Sequence, residues 1–260
     1  MLFVGGSLGP RAATDDQAAQ LAAATSATPP TTRLASSTTA VPIPTTSAPT
    51  TTTTAPPPAA ADGTLELGEA GLEIVGLQTR LDELGYWHGE SDGRFGQLTR
   101  QAVMAFQKAE GLARDGVAGP ITQFALGAAT RVAPVDASGT HLEIDLARQI
   151  LLVVEGGEVR WVLNTSTGNG EAYASPSGGS AVAATPTGWF TVQREVDGLR
   201  EAPLGTLYRP KYFVGGIAIH GSGSIPAQPA SHGCVRVTNS AMDVLWSSGL
   251  APLGTPVLVH

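Results

Sequence analysis

The sequence predicts a multidomain protein in which a small three-helix bundle precedes a mainly antiparallel β domain with little helix. Three observations support this division. A segment of Thr, Pro, Ala and Ser covers 25–61 with one charge, Arg33, and no aromatic residue. Apolar residues then recur at helical spacing from Leu72 onward. From residue 138 the apolar residues alternate with polar ones or form short continuous runs, as they do in strands.

The first 63 residues carry no predicted globular structure. Residues 1–24 open on a short apolar stretch that no Lys or Arg precedes, which fits either the remnant of a secretion signal or no signal at all. Residues 25–63 form a linker too poor in apolar side chains to offset chain entropy, so we expect disorder. Its prolines favour an extended chain. Two interpretations stay open: a plain spacer, and a spacer with glycosylated threonines.

The bulk composition excludes several classes of partner. The net charge of −7 argues against nucleic acid and against an anionic membrane surface. No stretch approaches the ~18 consecutive apolar residues of a membrane span. Cys234 is the only cysteine, so an intramolecular disulfide is impossible.

Residues 64–127 predict the helical domain. A first helix over 72–84 ends at Gly85, and an internal repeat follows in which 92–103 aligns with 115–126 as two Asp-Gly turns, each feeding a helix. Most residues of the pattern are turn glycines, helix-core residues and caps; the pattern comprises Gly71, Val75, Leu77, Gln78, Leu81, Leu84, Gly85, Tyr86, Gly89, Asp92, Gly93, Phe95, Gly96, Thr99, Ala102, Val103, Phe106, Gln107, Gly111, Leu112, Asp115, Gly116, Gly119, Pro120 and Thr122. This pattern resembles the helical peptidoglycan-binding module of many wall-acting enzymes, which implies binding to wall glycan. Tyr86 and Trp87 either stack on a sugar or cap the small core.

Residues 138–260 predict the β domain. Predicted strands cover 142–146, 149–154, 159–163, 188–192, 216–220 and 256–259, and one helix covers 239–246. The pair Gly156-Gly157 predicts a hairpin turn between the second and third strands.

A nucleophile is predicted at Cys234, which follows His232 and Gly233 and lies downstream of His220. A thiol needs a base to take its proton and a slim backbone beside it for a substrate carbonyl to approach. His220 fits the base, because it ends a predicted strand where a glycine-rich loop begins. Two alternatives stay open: an inert packed cysteine, and a zinc site of His220, His232 and Cys234 with no evident fourth ligand.

These residues belong to a longer pattern that resembles the L,D-transpeptidase catalytic domain of bacterial cell walls (YkuD-like family). The pattern comprises Asp145, Leu146, Gln149, 166–168, 185–190, 212–221, 231–236, Asn239, Asp243 and 254–257. The resemblance implies that Cys234 attacks the third residue of a peptidoglycan tetrapeptide stem and releases D-alanine. The thioester then passes to the side-chain amine of a second stem, giving a three-to-three crosslink without metal or cofactor. The chain departs from the family at 169–184, where a longer Gly/Ser/Ala-rich stretch predicts a flexible loop beside the cleft.

The resemblance also implies roles for the neighbouring residues. His220 corresponds to the general base, and His232 and Gly233 shape the nucleophile and the oxyanion hole. Candidate substrate-binding residues are Gly221, Ser231, Arg236 and Tyr212. Either the Gly221 carbonyl or the Ser222 hydroxyl orients His220. Arg236 either meets a substrate carboxylate or forms a salt bridge to Asp243 or another local acid. Tyr208 and Tyr212 either line the cleft or pack in the core.

Two competing functions remain open beside the crosslinking enzyme. An L,D-carboxypeptidase would pass the same acyl group to water, and a wall-binding protein would have an inert catalytic domain. The resemblance further implies that carbapenem-type β-lactams acylate the thiol. Two wall-directed domains in one chain favour an extracytoplasmic location, in the cell wall or periplasm, after secretion.

Overall fold

The computed structural model describes residues 63–260, so the predicted segment 1–24 and all of the predicted linker except Gly63 lie outside the described residues. Four helices and twelve strands occupy this part of the chain and confirm the predicted fold class. The helices are α1 (Leu72–Leu84), α2 (Gln97–Ala109), α3 (Pro120–Ala128) and α4 (Asn239–Ser247). The strands are β1 (His141–Asp145), β2 (Ile150–Glu155), β3 (Glu158–Asn164), β4 (Ala172–Ala174), β5 (Ser180–Val182), β6 (Gly188–Thr191), β7 (Arg194–Glu195), β8 (Leu199–Ala202), β9 (Gly205–Val214), β10 (Ile217–Gly221), β11 (Val235–Val237) and β12 (Pro256–Val259). Over residues 63–260 no helix is long and apolar enough to cross a membrane.

A buried glutamine holds each Asp-Gly turn of the internal repeat. Gln78 Nε2 donates to Asp92 Oδ1 at 3.0 Å, and Gln78 Oε1 accepts the Gly93 amide at 2.8 Å. Gln107 makes the same two bonds in the second turn, with Asp115 at 2.7 Å and the following glycine amide at 2.8 Å. Because both glutamines are buried, each repeat is closed by its own internal hydrogen bonds.

Replacing Gln107 with Leu is expected to lower the free energy of unfolding by about 1–3 kcal/mol, because the Gly116 amide and the Val117 carbonyl lose their partner inside the protein. Chemical denaturation measures the loss. Gln97→Leu on the exposed side of the same helix is the matched control, with an expected change within about 0.5 kcal/mol. Equal effects of the two substitutions would contradict the role of Gln107.

The helical module and the β domain share a hydrophobic core. Ile150, Leu152 and Val154 on one face of β2 pack with the module helices, whereas Leu151 and Val153 pack in a second core on the other face. The strand is therefore covered on both sides, which explains its continuous aliphatic sequence. The chain after α1 is also joined to β3: the Val162 amide donates to the Gly85 carbonyl at 2.8 Å.

Tyr86 belongs to this shared core, so its predicted alternative role in stacking on a sugar is wrong. It is 1% exposed and meets Phe106 edge to face, with ring centroids 5.4 Å apart. Trp87 is partly buried and packs against the second core.

The β domain has two five-stranded sheets and a hairpin. The first sheet has the order β3-β2-β1-β12-β6, and the second has the order β11-β10-β9-β7 with β8 paired to β9. β1 with β12 and β10 with β11 are parallel pairs, and the other pairs are antiparallel. The predicted strands are confirmed to within one or two residues, but β4, β5, β7, β8, β9 and β11 were not predicted. The stretch 169–184 contains the paired hairpin β4–β5 rather than an unstructured loop.

Candidate active site

Most of the predicted site residues line one cavity of about 720 Å³ in the β domain. The predicted residues on its wall are Cys234, His220, His232, Ser231, Arg236 and Tyr212. Gly221 and Gly233 are outside this lining and support it from the backbone. The cavity forms where β10 and β11 run parallel, with Ile219 opposite Val235 and His220 opposite Arg236. This register brings His220 and Cys234 to neighbouring strands.

His220 is held in one orientation by its neighbour in the chain. The ring is 6% exposed, and its Nδ1 lies 2.8 Å from the Gly221 carbonyl oxygen. A carbonyl only accepts hydrogen bonds, so Nδ1 carries the proton and Nε2 of the neutral ring is left with a free lone pair. Of the two predicted partners, Gly221 therefore orients the ring, whereas the Ser222 hydroxyl donates to Ser224.

The thiol and the imidazole are both neutral at rest. Burial raises the pKa of the Cys234 thiol, although a backbone hydrogen bond and the charge of Arg236 act in the opposite direction. Burial also lowers the pKa of His220, which the Gly221 hydrogen bond opposes and Arg236 reinforces. Cys234 Sγ lies 3.9 Å from the Gly216 carbonyl oxygen, and no hydrogen bond within 63–260 joins it to His220. A reaction at the Cys234 sulfur would therefore require its proton to be removed in the same step.

The loop before β11 is folded around Ser231. The Ser231 hydroxyl donates to the Cys234 carbonyl and accepts the Gly233 amide at 3.0 Å. Gly233 has φ +126°, and a Cβ there would lie 2.8 Å from the Ala184 carbonyl oxygen, so only glycine fits without strain. Ser231 lines the cavity, but its hydroxyl is committed to the shape of the Cys234 loop.

His232 is placed differently from His220. Its side chain is exposed, and its ring meets Tyr173 of β4 at 4.7 Å between centroids. Tyr173, Pro176, Val182 and Ala184 also line the cavity, so the β4–β5 hairpin forms one of its walls, as the prediction of a segment beside the cleft required.

The charged side chains that line the cavity are cationic. Its lining includes Arg194 and Arg236 and no Asp or Glu. Among residues 63–260 no ion pair joins Arg236 to Asp243, whose carboxylate accepts from Arg209 and from the Tyr208 hydroxyl, each at 2.8 Å. Tyr208 is not among the residues that line the cavity, and it packs against the second core.

Arg194 is a site residue that sequence reasoning missed. Its guanidinium lies 3.5 Å from the ring centroid of Tyr212, its cross-strand partner between β7 and β9. No motif marks Arg194, and only the pairing of two unpredicted strands brings it to the cavity.

The zinc alternative has no cluster to support it. Among residues 63–260 there is no group of three or more His, Cys, Asp or Glu side chains placed to hold a metal ion. His220 is turned to its own backbone neighbour and His232 to Tyr173.

Comparison with known proteins agrees with both resemblances. The L,D-transpeptidase catalytic domain family matches residues 139–259, and a peptidoglycan binding domain family matches 71–126. An L,D-transpeptidase crystal structure from Xylanimonas cellulosilytica is 51% identical, covers 78% of this chain and 100% of its own, and superposes with a TM-score of 0.73. Because the chain is 51% identical to this crystallised fragment, residues 123–326 of its protein, and covers all of it, the chain belongs to the L,D-transpeptidase family, with a peptidoglycan-binding domain before the catalytic one.

Curated relatives match over short segments. N-acetylmuramoyl-L-alanine amidase CwlM of Mycobacterium tuberculosis is 46% identical over 52 residues, which is 20% of this chain and 13% of that protein. The zinc D-Ala-D-Ala carboxypeptidase of Streptomyces albus G is 45% identical over 64 residues, 23% of this chain and 24% of that protein. The chain thus spans less than a quarter of the length of either curated relative.

Proposed function

We propose that the protein is a cysteine-dependent L,D-transpeptidase that acts on peptidoglycan tetrapeptide stems and forms three-to-three crosslinks through a Cys234 thioester. One observation carries the proposal: Cys234 and a buried, fixed His220 with a free Nε2 line the same cavity. The peptidoglycan-binding domain supports the wall as the place of action and an extracytoplasmic, secreted protein.

The reaction divides into two exchanges at the same carbonyl carbon. His220 Nε2 takes the thiol proton as Cys234 Sγ attacks the carbonyl of the third stem residue. The resulting oxyanion is bound by the Cys234 amide, because the Gly233 amide is already bonded to Ser231. His220 returns the proton to the departing D-alanine nitrogen, and the C–N bond breaks to leave a thioester. The amine of a second stem attacks the thioester, loses a proton to His220, and the thiol re-forms.

Incubation with a disaccharide-tetrapeptide, followed by mass spectrometry of the products, tests the proposal. A crosslinked dimer together with free D-alanine supports transpeptidation. Release of D-alanine with only tripeptide formed would favour the L,D-carboxypeptidase. Unchanged substrate with folded protein would favour the non-catalytic wall-binding protein.

Arg194 and Arg236 suit an anionic donor, since the D-alanine end of the stem carries a carboxylate. Replacing either arginine with Gln is expected to raise KM for the tetrapeptide about tenfold, because one charge-assisted hydrogen bond to the substrate is lost. The effect on kcat should be smaller. Steady-state kinetics measure both constants. Arg200→Gln is the matched control, because Arg200 is exposed on β8 and outside the cavity lining. An unchanged KM in both cavity variants would remove the carboxylate assignment.

The pH dependence of kcat/KM is expected to show an acid limb below pH 6.5. His220 acts only in its neutral form, and burial lowers its pKa from 6.5, so activity falls as pH drops through this lowered value. Arg236→Gln should move the limb to higher pH, because the arginine charge helps to keep the ring neutral. A limb above pH 7 in the wild type would be incompatible with His220 as the base.

A further inference from the structure

Lys108 of α2 is a buried cation that the proposed reaction does not use. The residue is 1% exposed, although lysine side chains are almost never fully buried in proteins. Its Nζ donates to the Thr165 carbonyl at 2.8 Å and to the Gln149 carbonyl at 3.1 Å, both in the β domain. Burial lowers the pKa of Lys108 to about 7. Even the neutral amine keeps two N–H donors, one for each carbonyl.

The two carbonyls lie at the base of the strap, the segment 165–167 that leaves β3. Gln149 is buried and holds the strap from one side: its Oε1 accepts the Thr167 amide at 2.8 Å and its Nε2 donates to Thr167 Oγ1 at 2.7 Å. The Thr165 amide also donates to the Gln149 carbonyl, at 3.2 Å. Lys108 therefore ties the strap and its support to the helical module.

The strap carries both flanks of the Cys234 loop. The Thr167 carbonyl accepts the Ser231 amide at 2.9 Å, three residues before the thiol. Thr165 Oγ1 donates to the Arg236 carbonyl at 2.7 Å, two residues after the thiol. A continuous set of buried and half-buried hydrogen bonds thus runs from the wall-binding module to either side of Cys234.

We propose that Lys108 is a positioning residue for the transpeptidase site, through which the peptidoglycan-binding module holds the strap and the Cys234 loop in register; this inference rests on the proposed function. The module is then a structural part of the catalytic unit as well as its contact with the wall. Without Lys108, the Thr165 carbonyl loses its donor and the Gln149 carbonyl keeps only the Thr165 amide, so the loop that fixes the thiol loosens.

Lys108→Met in the full chain tests the proposal, since methionine keeps the length and loses the donors. We expect kcat for the tetrapeptide to fall about 10- to 100-fold, as misplacement of a reacting group does, while KM changes less than about twofold. The rate of Cys234 alkylation by iodoacetamide should rise, because a loosened loop exposes the thiol. General unfolding would also lower kcat and raise alkylation, so circular dichroism and a cooperative unfolding transition must first show that the variant is folded.

Arg131→Met is the matched control. Arg131 also bridges the two domains, with its guanidinium donating to the Val159 carbonyl at 3.0 Å and to the Glu83 carbonyl at 2.8 Å, but it does not touch the strap. The Arg131→Met variant is expected to keep the wild-type kcat. If Lys108→Met does not fold, Lys108→Gln, a shorter side chain with a polar head, gives the same measurement.

A wild-type kcat in a folded Lys108 variant would overturn the proposal. An equal loss of kcat in Arg131→Met would also overturn it, because any weakening of the domain junction would then suffice. If the wild type does not turn over the stem at all, the proposed function fails by itself. The alkylation rate then decides the role of Lys108: an unchanged rate overturns that role, and a raised rate supports it.

Discussion

A carbapenem added to the protein is expected to leave one covalent adduct with the full mass of the drug, at Cys234. The strained lactam carbonyl imitates the donor amide, and attack by sulfur opens the ring without loss of any atom. The chain has one thiol, so one site is available. Intact-protein mass spectrometry over several hours measures the adduct, and penicillins should react more slowly.

Cys234→Ala is the matched variant, because it removes the sulfur and little volume. It should show no adduct, and crosslink formation should fall by about four orders of magnitude or more, as the loss of a nucleophile does in other acyl-transfer enzymes. A persistent adduct in Cys234→Ala would mean that another group reacts. A folded wild type with no adduct would favour the non-catalytic wall-binding protein.

His220→Ala is expected to lower kcat/KM by about 10²- to 10⁴-fold, the range attributed to general acid–base catalysis. The effect should be large because desolvation raises the pKa of the half-buried Cys234 thiol, so the thiol carries its proton at neutral pH and attack depends on a group that removes it. Steady-state kinetics from pH 6 to 9 measure the loss. The deficit should shrink toward high pH, where hydroxide removes the thiol proton without help.

His232→Ala supplies the comparison for this prediction. His232 lies two residues from the thiol, but its ring is exposed and packs on Tyr173. Replacing His232 should lower kcat/KM much less than replacing His220 does. Equal losses would contradict the assignment of His220 as the base.

The local sequence pattern was sufficient to predict the helical module and several strands of the β domain. The aliphatic run of β2 and the Gly156-Gly157 turn determine that hairpin, in which both glycines have positive φ. The Asp-Gly turns repeat because each needs a glycine backbone and a buried glutamine partner. In the site, His220 and Cys234 could be predicted because each lies in a short motif, His220 near the end of β10 and Cys234 directly before β11. These two strands are parallel neighbours.

The features that were missed depend on contacts between distant segments. The β8–β9 hairpin begins with exposed Leu199, Arg200 and Glu201, so it shows no alternation between apolar and polar residues. Arg194 reaches the cavity only through cross-strand register with Tyr212. Lys108 has the ordinary sequence context of an exposed helical lysine, and only the β domain packed over it makes it buried.

Both lysines of the chain are buried, and this affects how the protein reacts with amine-directed reagents. The chain has two lysines, Lys108 and Lys211, and Lys211 is 2% exposed with its Nζ 2.7 Å from Glu195. Neither ε-amine is open to solvent, so lysine-directed cross-linkers, biotin esters and amine-coupling sensor surfaces have no lysine to react with in the folded protein. If the proposed Cys234 thioester forms, the folded protein therefore has no accessible lysine that could compete with the second stem as the acceptor.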